Sequence, residues 1–298
     1  MKLSIVTTLY KSSDYIDEFY TRITREAKKI TDDYEIIFVD DGSPDDSLNK
    51  VIKLCETDSH VKAIELSRNF GHHKAIMTGL SRANGDFIFL IDSDLEEEPE
   101  FLGRFWKELN KNKNLDVVYG YQENRKGNWF EKCSGYLFYK FINFNESINI
   151  PNNLINTRLM TKTYNQALIL HKENELFLGG IFAITGFNQK GLGVKKKFRK
   201  KTTYSLKKKI SLFLNAITSF TNFPLKLIFY FGLISSFLSF LYGIFIIYKK
   251  FFFDDAITGW SSLIISIYFI GGLILISIGL GGLYIGKIFI ETKKRPYT

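Results

Sequence analysis

Two stretches in the last third of the chain hold no charged side chain: residues 227–248, 22 in a row, and residues 256–286, 31 in a row. Each meets the roughly 20 apolar residues that a helix needs to cross a hydrocarbon core about 30 Å thick. A chain so built is predicted to place a helical hairpin in a bilayer and to keep its polar chemistry in the residues before it. Gly271, Gly272, Gly281 and Gly282 in the second stretch would let the helices approach closely. The connecting loop sets Lys249 and Lys250 against Asp254 and Asp255, whereas the outer flanks are strongly basic, the last carrying Lys293, Lys294 and Arg295. Positive charge is retained on the cytoplasmic side, so both termini are predicted to be cytoplasmic, with a short external loop.

The formal net charge of +9 is concentrated rather than spread. Residues 195–209 carry nine Lys or Arg in fifteen positions and no acid. Just before two membrane-spanning candidates, such a run points to anionic lipid headgroups. A nucleic-acid partner is disfavoured, because no zinc spacing, recognition-helix pattern or aromatic RNA-binding signature accompanies the charge. Leu206, Ile210, Phe213, Leu214, Ile217 and Phe220 recur at helical spacing beside Lys207, Lys208 and Lys209. That is the pattern of an amphipathic helix lying in the headgroup region or docked on other protein. Cys55 and Cys133 stand alone and read as packing thiols of a reducing compartment. The apolar residues 3–10 are too short for a signal peptide and read as a first strand.

The predicted division is therefore residues 1–194 as a cytosolic domain, 195–225 as a basic segment with an interface helix, 226–290 as two transmembrane helices, and 291–298 as a basic tail. Within the first domain, strand-like runs at residues 3–9, 35–39, 61–66, 87–91 and 116–119 alternate with helical patterns. Ile16, Phe19, Tyr20, Ile23, Ala27 and Ile30 form one apolar helical face, with Asp14 as a candidate N-cap. Leu48, Val51, Ile52 and Cys55 form another after Asp45 or Asp46. Such βαβα order predicts an α/β fold with a mostly parallel sheet, whose ligands bind at the carboxyl ends of the strands. No Gly-x-Gly-x-x-Gly and no P-loop motif occurs, which argues against an ordinary dinucleotide fold and a P-loop NTPase.

Two acidic turns fall at those strand ends. Residues 87–91 run straight into Asp92-Ser93-Asp94-Leu95-Glu96. Three carboxylates so close repel one another, and a hard divalent cation, Mg²⁺ or Mn²⁺, would relieve that repulsion while bridging to phosphate. A helix start rich in Glu also explains Glu96, Glu97 and Glu98. The second turn, Asp40-Asp41-Gly42-Ser43, follows the strand ending at Val39, and its carboxylates could accept from a base N–H or a ribose hydroxyl, or cap a helix.

In order along the chain, Ile5-Val6-Thr7-Thr8-Leu9-Tyr10, Val39-Asp40-Asp41-Gly42-Ser43, Arg68-Asn69-Phe70-Gly71 and Asp92-Ser93-Asp94 resemble the motifs of family 2 glycosyltransferases of the GT-A fold. The Arg-Asn-Phe-Gly segment and the two C-terminal stretches resemble the polyprenyl-phosphate group of that family, which includes dolichol-phosphate mannose synthases and bactoprenol glucosyltransferases. The resemblance implies inverting transfer of one sugar from a nucleotide-sugar, by analogy UDP-linked, to polyprenyl phosphate at the inner face of a bacterial cytoplasmic membrane. The product would serve cell-surface glycan modification such as that of O-antigen. The resemblance places Thr8, Tyr10, Asp40, Asp41, Arg68, Asp92 and Ser93 on the nucleotide-sugar, and Asp92, Asp94 and Glu96 on the metal. Glu96 falls where relatives often have Gln.

A lipid phosphate monoester is largely dianionic at neutral pH and calls for cations more than for a general base. The resemblance assigns Arg125, Arg158 and Tyr204 to that acceptor phosphate, and Asp92, Asp94, Arg125 and Arg158 to catalysis. The chain departs from the pattern in that Asn156 replaces an Asp, Gln122 stands for a frequent Arg, and Thr202-Thr203-Tyr204 replaces a Ser/Thr-Lys-Tyr segment. His72 and His73 read as polar residues at a helix start. A second copy of the chain and a flippase stand as further candidate partners. Two alternatives stay open. A processive polysaccharide synthase lacks support because no Gln-x-x-Arg-Trp lies well downstream, and an inactive nucleotide-sugar-binding scaffold is kept open by Asn156 and Gln122.

Overall fold

A computed structural model describes residues 1–122, 153–173, 177–195, 223–253 and 259–293. The chain forms two compact units, divided between Ala216 and Ile217. The predicted amphipathic segment, Arg125, Cys133 and Tyr204 lie outside the described residues.

The first unit is built on a seven-stranded sheet: β1 (Leu3–Leu9), β2 (Tyr34–Asp40), β3 (Val61–Glu65), β4 (Phe87–Leu90), β5 (Val117–Gln122), β6 (Leu154–Thr161) and β7 (Gln189–Val194). Its order is β3-β2-β1-β4-β6-β5-β7. The first four strands run parallel to one another, as predicted, and β6 alone runs antiparallel, to both β4 and β5. All seven residues of β1 and of β2 are buried, as befits strands covered on both faces.

Helices α1 (Ile16–Lys28), α2 (Ser47–Thr57), α3 (His72–Arg82), α4 (Phe101–Lys111), α5 (Lys162–Leu168) and α6 (Leu178–Ile184) accompany the sheet. The apolar stripe of α1, with Ile16, Phe19, Ile23 and Ala27 buried, meets the sheet through an edge-on Phe19–Phe38 contact at 6.0 Å. On α4, Phe105 meets Phe89 at 6.1 Å and Trp106 meets Phe87 at 5.0 Å. Side chains of this size, taken out of water, each contribute about 1.5–3 kcal/mol. Helix α3 lies close against the sheet: a Cβ at Gly79 would stand 2.5 Å from Val6 Cγ1 and 2.9 Å from Val39 Cγ2. Glycine at that position lets the helix rest on β1 and β2 and fixes where its first residue, His72, comes out.

The start of α1 differs from the prediction, and that of α2 decides between its two candidates. Helix α1 begins after Tyr15 without a side-chain cap, so Asp14 does not cap it. Asp46 precedes α2, but Asp45 is the carboxylate that accepts from Ser47 N, at 3.2 Å, and from Ser47 Oγ, at 2.6 Å. Asp45 also accepts from Ser13 N and Ser43 Oγ, joining the loop after β1 to the loop after β2. Those bonds overcome the burial that opposes ionisation and hold its carboxyl well below the usual range.

The second unit contains α7 (Phe223–Phe253, 31 residues) and α8 (Trp260–Thr292, 33 residues). Among the described residues one segment, Phe269–Thr292, is a helix long and apolar enough to cross a membrane, with a mean hydropathy of 2.1. Large apolar side chains stand exposed on both helices, among them Phe229 at 63% and Leu275 at 71%.

Candidate active site

Two loops at the carboxyl ends of β2 and β3 are locked together by Asp41. Its Oδ1 accepts the Phe70 N–H at 2.7 Å and its Oδ2 the Gly71 N–H at 3.0 Å. Gly42 makes the close approach workable, since its φ is +60° and a Cβ there would lie 2.5 Å from the Arg68 carbonyl carbon. Asp41 is therefore engaged with backbone in a way that orders the turn ahead of α3. Arg68 stacks over Phe70 at 4.1 Å and bonds the Asn69 carbonyl.

Asp40, at the end of β2, is 3% exposed. Its Oδ2 accepts the Ser43 N–H at 3.0 Å, while its buried Oδ1 meets no donor among the described residues. Burial pushes the Asp40 carboxyl up, against the pull of the Ser43 N–H, and the negative charges of Asp45, Glu65 and Asp41 add to the rise. An unfilled acceptor at a strand end suits the predicted contact with a nucleotide N–H or hydroxyl. Nearby Tyr10 is half exposed and precedes Lys11, a non-glycine residue at φ +56°.

The second acidic turn follows β4. Ser93 is buried, and its hydroxyl donates to the Thr8 carbonyl at 2.9 Å, tying the turn to β1 rather than standing open to a ligand. Asp94 Oδ1 accepts the Glu96 N–H at 3.0 Å across Leu95, whose φ is +58°. Among the described residues no three His, Cys, Asp or Glu side chains are grouped to hold one ion, so Glu96 does not complete a three-carboxylate cluster with Asp92 and Asp94. The tight turn at Leu95 separates Glu96 from the pair in the chain. Two oxygen-donor side chains at a strand end still fit a hard divalent cation, because Mg²⁺ commonly takes one or two carboxylates and completes its shell with phosphate and water. The next residue but two, Glu97, is buried and accepts from the Thr157 hydroxyl of β6.

The residue that the sequence reading passed over is His72. Its Nδ1 lies 3.1 Å from Thr8 Oγ1, and its Nε2 lies 3.0 Å from Asn156 Nδ2 and 3.4 Å from Asp92 Oδ1. Desolvation works against its protonation, but the charge of Asp92, with Asp41 and Asp94 behind it, outweighs that and raises its pKa. A histidine at the first turn of a helix after Arg-Asn-Phe-Gly carried no sign of these contacts. They arise because β6 returns antiparallel, pairing Leu90 with Arg158 and so bringing Asn156 alongside Asp92.

Arg158 is wholly buried. Its Nε donates to the Asn156 carbonyl at 3.1 Å, its guanidinium sits 3.0 Å from the Phe182 ring centre, and its Nη1 meets no acceptor among the described residues. Burial lowers its pKa to about 10. It borders a cavity of about 310 Å³ lined also by Tyr119, Leu154, Phe182 and Gln189. The structure thus brings Thr8, Asp92 and Asn156 together around His72, joins Asp41 to the same helix start, and ties Arg158 to the Asn156 carbonyl on β6.

Over residues 4–169 the chain matches the family described as glycosyl transferase family 2. A Mycobacterium tuberculosis protein named among the glycosyltransferases is 45% identical over 298 residues, 100% of this chain and 87% of its own. The prophage bactoprenol glucosyl transferase homolog of Escherichia coli K12 is 32% identical over 99% of this chain and 97% of its own. Among solved structures, glucosyl-3-phosphoglycerate synthase from Mycobacterium tuberculosis, in complex with Mn²⁺, UDP and glucosyl-3-phosphoglycerate, is 17% identical. It matches 73% of this chain and 77% of its own with a TM-score of 0.50, which shows the GT-A-like fold alone. The chain belongs to glycosyl transferase family 2 and is a glycosyltransferase.

Proposed function

We propose that this glycosyltransferase moves one sugar from a nucleotide-sugar, UDP-linked by family analogy, to polyprenyl phosphate at the cytoplasmic face of a bacterial membrane, for use in cell-surface glycan modification. The observation that carries this reading is the likeness to the bactoprenol glucosyl transferase homolog, which runs the length of both chains. The exposed apolar lengths of α7 and α8 support it: left in water they would be unfavourable, and as two membrane spans they would hold the first unit where a lipid headgroup can reach it. The basic run at residues 195–209 and the tail at 291–298 then lie against anionic headgroups, with both termini cytoplasmic.

In this reading Asp40 accepts from the nucleotide, Tyr10 and Arg68 flank it, and Asp41 and Ser93 shape the cradle from behind. Asp92 and Asp94 would hold a Mg²⁺ or Mn²⁺ ion, which supplies neutralising charge for the departing diphosphate. An oxygen of the lipid phosphate attacks the anomeric carbon from the face opposite the leaving group. The new carbon–oxygen bond forms as the bond to the nucleotide diphosphate breaks, and configuration inverts. At neutral pH the attacking phosphate is largely dianionic and has no proton to surrender, so an amide at position 156 suffices where a base would otherwise stand. Arg125, Arg158 and Tyr204 are the proposed acceptor-phosphate contacts, the Nη1 of Arg158 being without an acceptor among the described residues.

The test is to incubate membranes containing the protein with labelled UDP- and GDP-sugars, with and without EDTA. Label extracting into organic solvent only when metal is present, and lost in Asp94→Ala, is the expected outcome. Label in long polymer, or binding without turnover, would overturn the single-transfer reading.

A further inference from the structure

We propose that His72 is a positioning residue: through its two ring nitrogens it ties Thr8 of β1, Asp92 beyond β4 and Asn156 of β6 into one hydrogen-bonded strut that aims Asp92 at the donor and Asn156 at the acceptor. The proposal rests on the reading of Asp92 as a donor-side ligand. Three strands are held by one ring, at 3.1 Å to Thr8 Oγ1, 3.0 Å to Asn156 Nδ2 and 3.4 Å to Asp92 Oδ1.

The ring is itself fixed from both directions along the chain. Asp41 anchors the two N–H groups just before it, at Phe70 and Gly71. The close seat of Gly79 on Val6 and Val39 anchors the helix after it. A group held on a rigid element by such supports can keep its neighbours within the small tolerance that catalysis requires.

The amide at position 156 suits this role. Nε2 donates to Asp92 only when it carries the proton, and then the amide, turned over, accepts beside it through Oδ1. Against a bare Nε2 the amide donates through Nδ2, so the contact to Asn156 closes for either tautomer while that to Asp92 needs the proton. An ionised carboxylate could only accept, and it would face Asp92 across the same nitrogen as a like charge. Asn156 and His72 therefore act as a pair, in which the ring directs the amide and the amide leaves Asp92 as the carboxylate nearest Nε2.

Two substitutions separate the limbs of the strut. A Gln amide reaches the place of Nε2 and an Asn amide that of Nδ1, so His72→Gln keeps the limb to Asp92 and Asn156 while His72→Asn keeps only the limb to Thr8. Turnover with labelled donor and the affinity for UDP with Mn²⁺ by calorimetry are measured, alongside melting temperature. H72A and H72N are expected to lose about 10- to 100-fold in turnover or metal–nucleotide affinity, the range typical of groups that orient a metal ligand. H72Q is expected to recover most of that loss, and H72A combined with N156A to be no worse than H72A alone. If H72N equals or exceeds H72Q, if H72A loses nothing, or if the double variant is additive, the strut is refuted. The calorimetric ranking needs no acceptor, so a wild-type protein that failed to label lipid phosphate would remove the acceptor reading and still leave the strut decided by that ranking.

Discussion

The Asp41 carboxylate accepts the Gly71 N–H at 3.0 Å and the Phe70 N–H at 2.7 Å, joining the loop after β2 to the first turn of α3. Hydrogen bonds to a carboxylate are the stronger kind, and these two are partly buried. They make the position of His72 depend on an aspartate thirty-one residues earlier in the chain.

Replacing Asp41 by Ala would leave two backbone donors without their acceptor. The expected loss is about 2–3 kcal/mol of stability in a urea melt, with Asp41→Asn losing less because one acceptor oxygen remains. Donor turnover should fall more steeply than stability, since the displaced turn carries His72 with it. An Asp41→Ala protein with wild-type midpoint and turnover would show that the two loops hold without it.

Gly42 is intolerant for a different reason. A Cβ there meets backbone, the Arg68 carbonyl carbon at 2.5 Å and Asn69 N at 2.6 Å, and the positive φ adds strain of about 1–2 kcal/mol for any L side chain. Gly42→Ala should lower the melting temperature and weaken UDP binding together. Gly71→Ala also places a side chain at positive φ, +103°, but would meet nothing within 4 Å, so it should be the milder of the two.

Glu35 gives a pH signature far from the site. It is 2% exposed and accepts from Ser4 Oγ at 2.6 Å, Lys62 Nζ at 2.6 Å and Asn84 N at 3.0 Å. Burial alone would raise its pKa; these bonds, with the Lys62 charge, bring it from 4.5 down to about 2. A depressed folded pKa stabilises the protein above the unfolded value and is lost as pH falls from about 4.5 toward 2. The difference amounts to about 3 kcal/mol. Glu35→Gln should therefore unfold more easily at pH 7 and show a shallower decline between pH 5 and 2, read from urea melts across that window. An unchanged acid slope would mean that other carboxylates carry the transition.

What could be read in the sequence was whatever lies close along the chain. The five strands from β1 to β5 announce themselves as apolar runs, and the acidic turns follow β2 and β4 directly. The strand β6 did not, because the polar Thr157 and Arg158 are both buried and follow the half-buried Asn156, which breaks the apolar alternation of a strand. With β6 unseen, the meeting of His72, Asp92 and Asn156 was out of reach. Eighty-four residues separate His72 from Asn156, and only the antiparallel return of that strand joins them. Of the helix starts, Asp14 does not cap α1, while at α2 the serines that gather around Asp45 choose it over Asp46 as the partner of Ser47.

Asp40 offers the sharpest test of the nucleotide contact. One of its oxygens is used by the Ser43 N–H and the other is buried without a donor among the described residues, a costly arrangement that a bound N–H or hydroxyl would complete. Because burial holds the free carboxyl above its ordinary pKa, a ligand that donates to it stabilises the ionised form and lowers that pKa on binding. Nucleotide affinity should then decline as pH falls through the raised pKa of the free protein, since protonated Asp40 must first release its proton. Asp40→Asn keeps the shape but sets an amide NH₂ against either Ser43 N–H or the ligand's donor. UDP affinity by calorimetry is expected to drop about 10- to 100-fold, the loss of one hydrogen bond to a charged acceptor, and its dependence on pH to flatten. Affinity that is unchanged in Asp40→Asn, or that keeps its pH slope, would detach Asp40 from the nucleotide and leave the carboxyl end of β2 with a structural role alone.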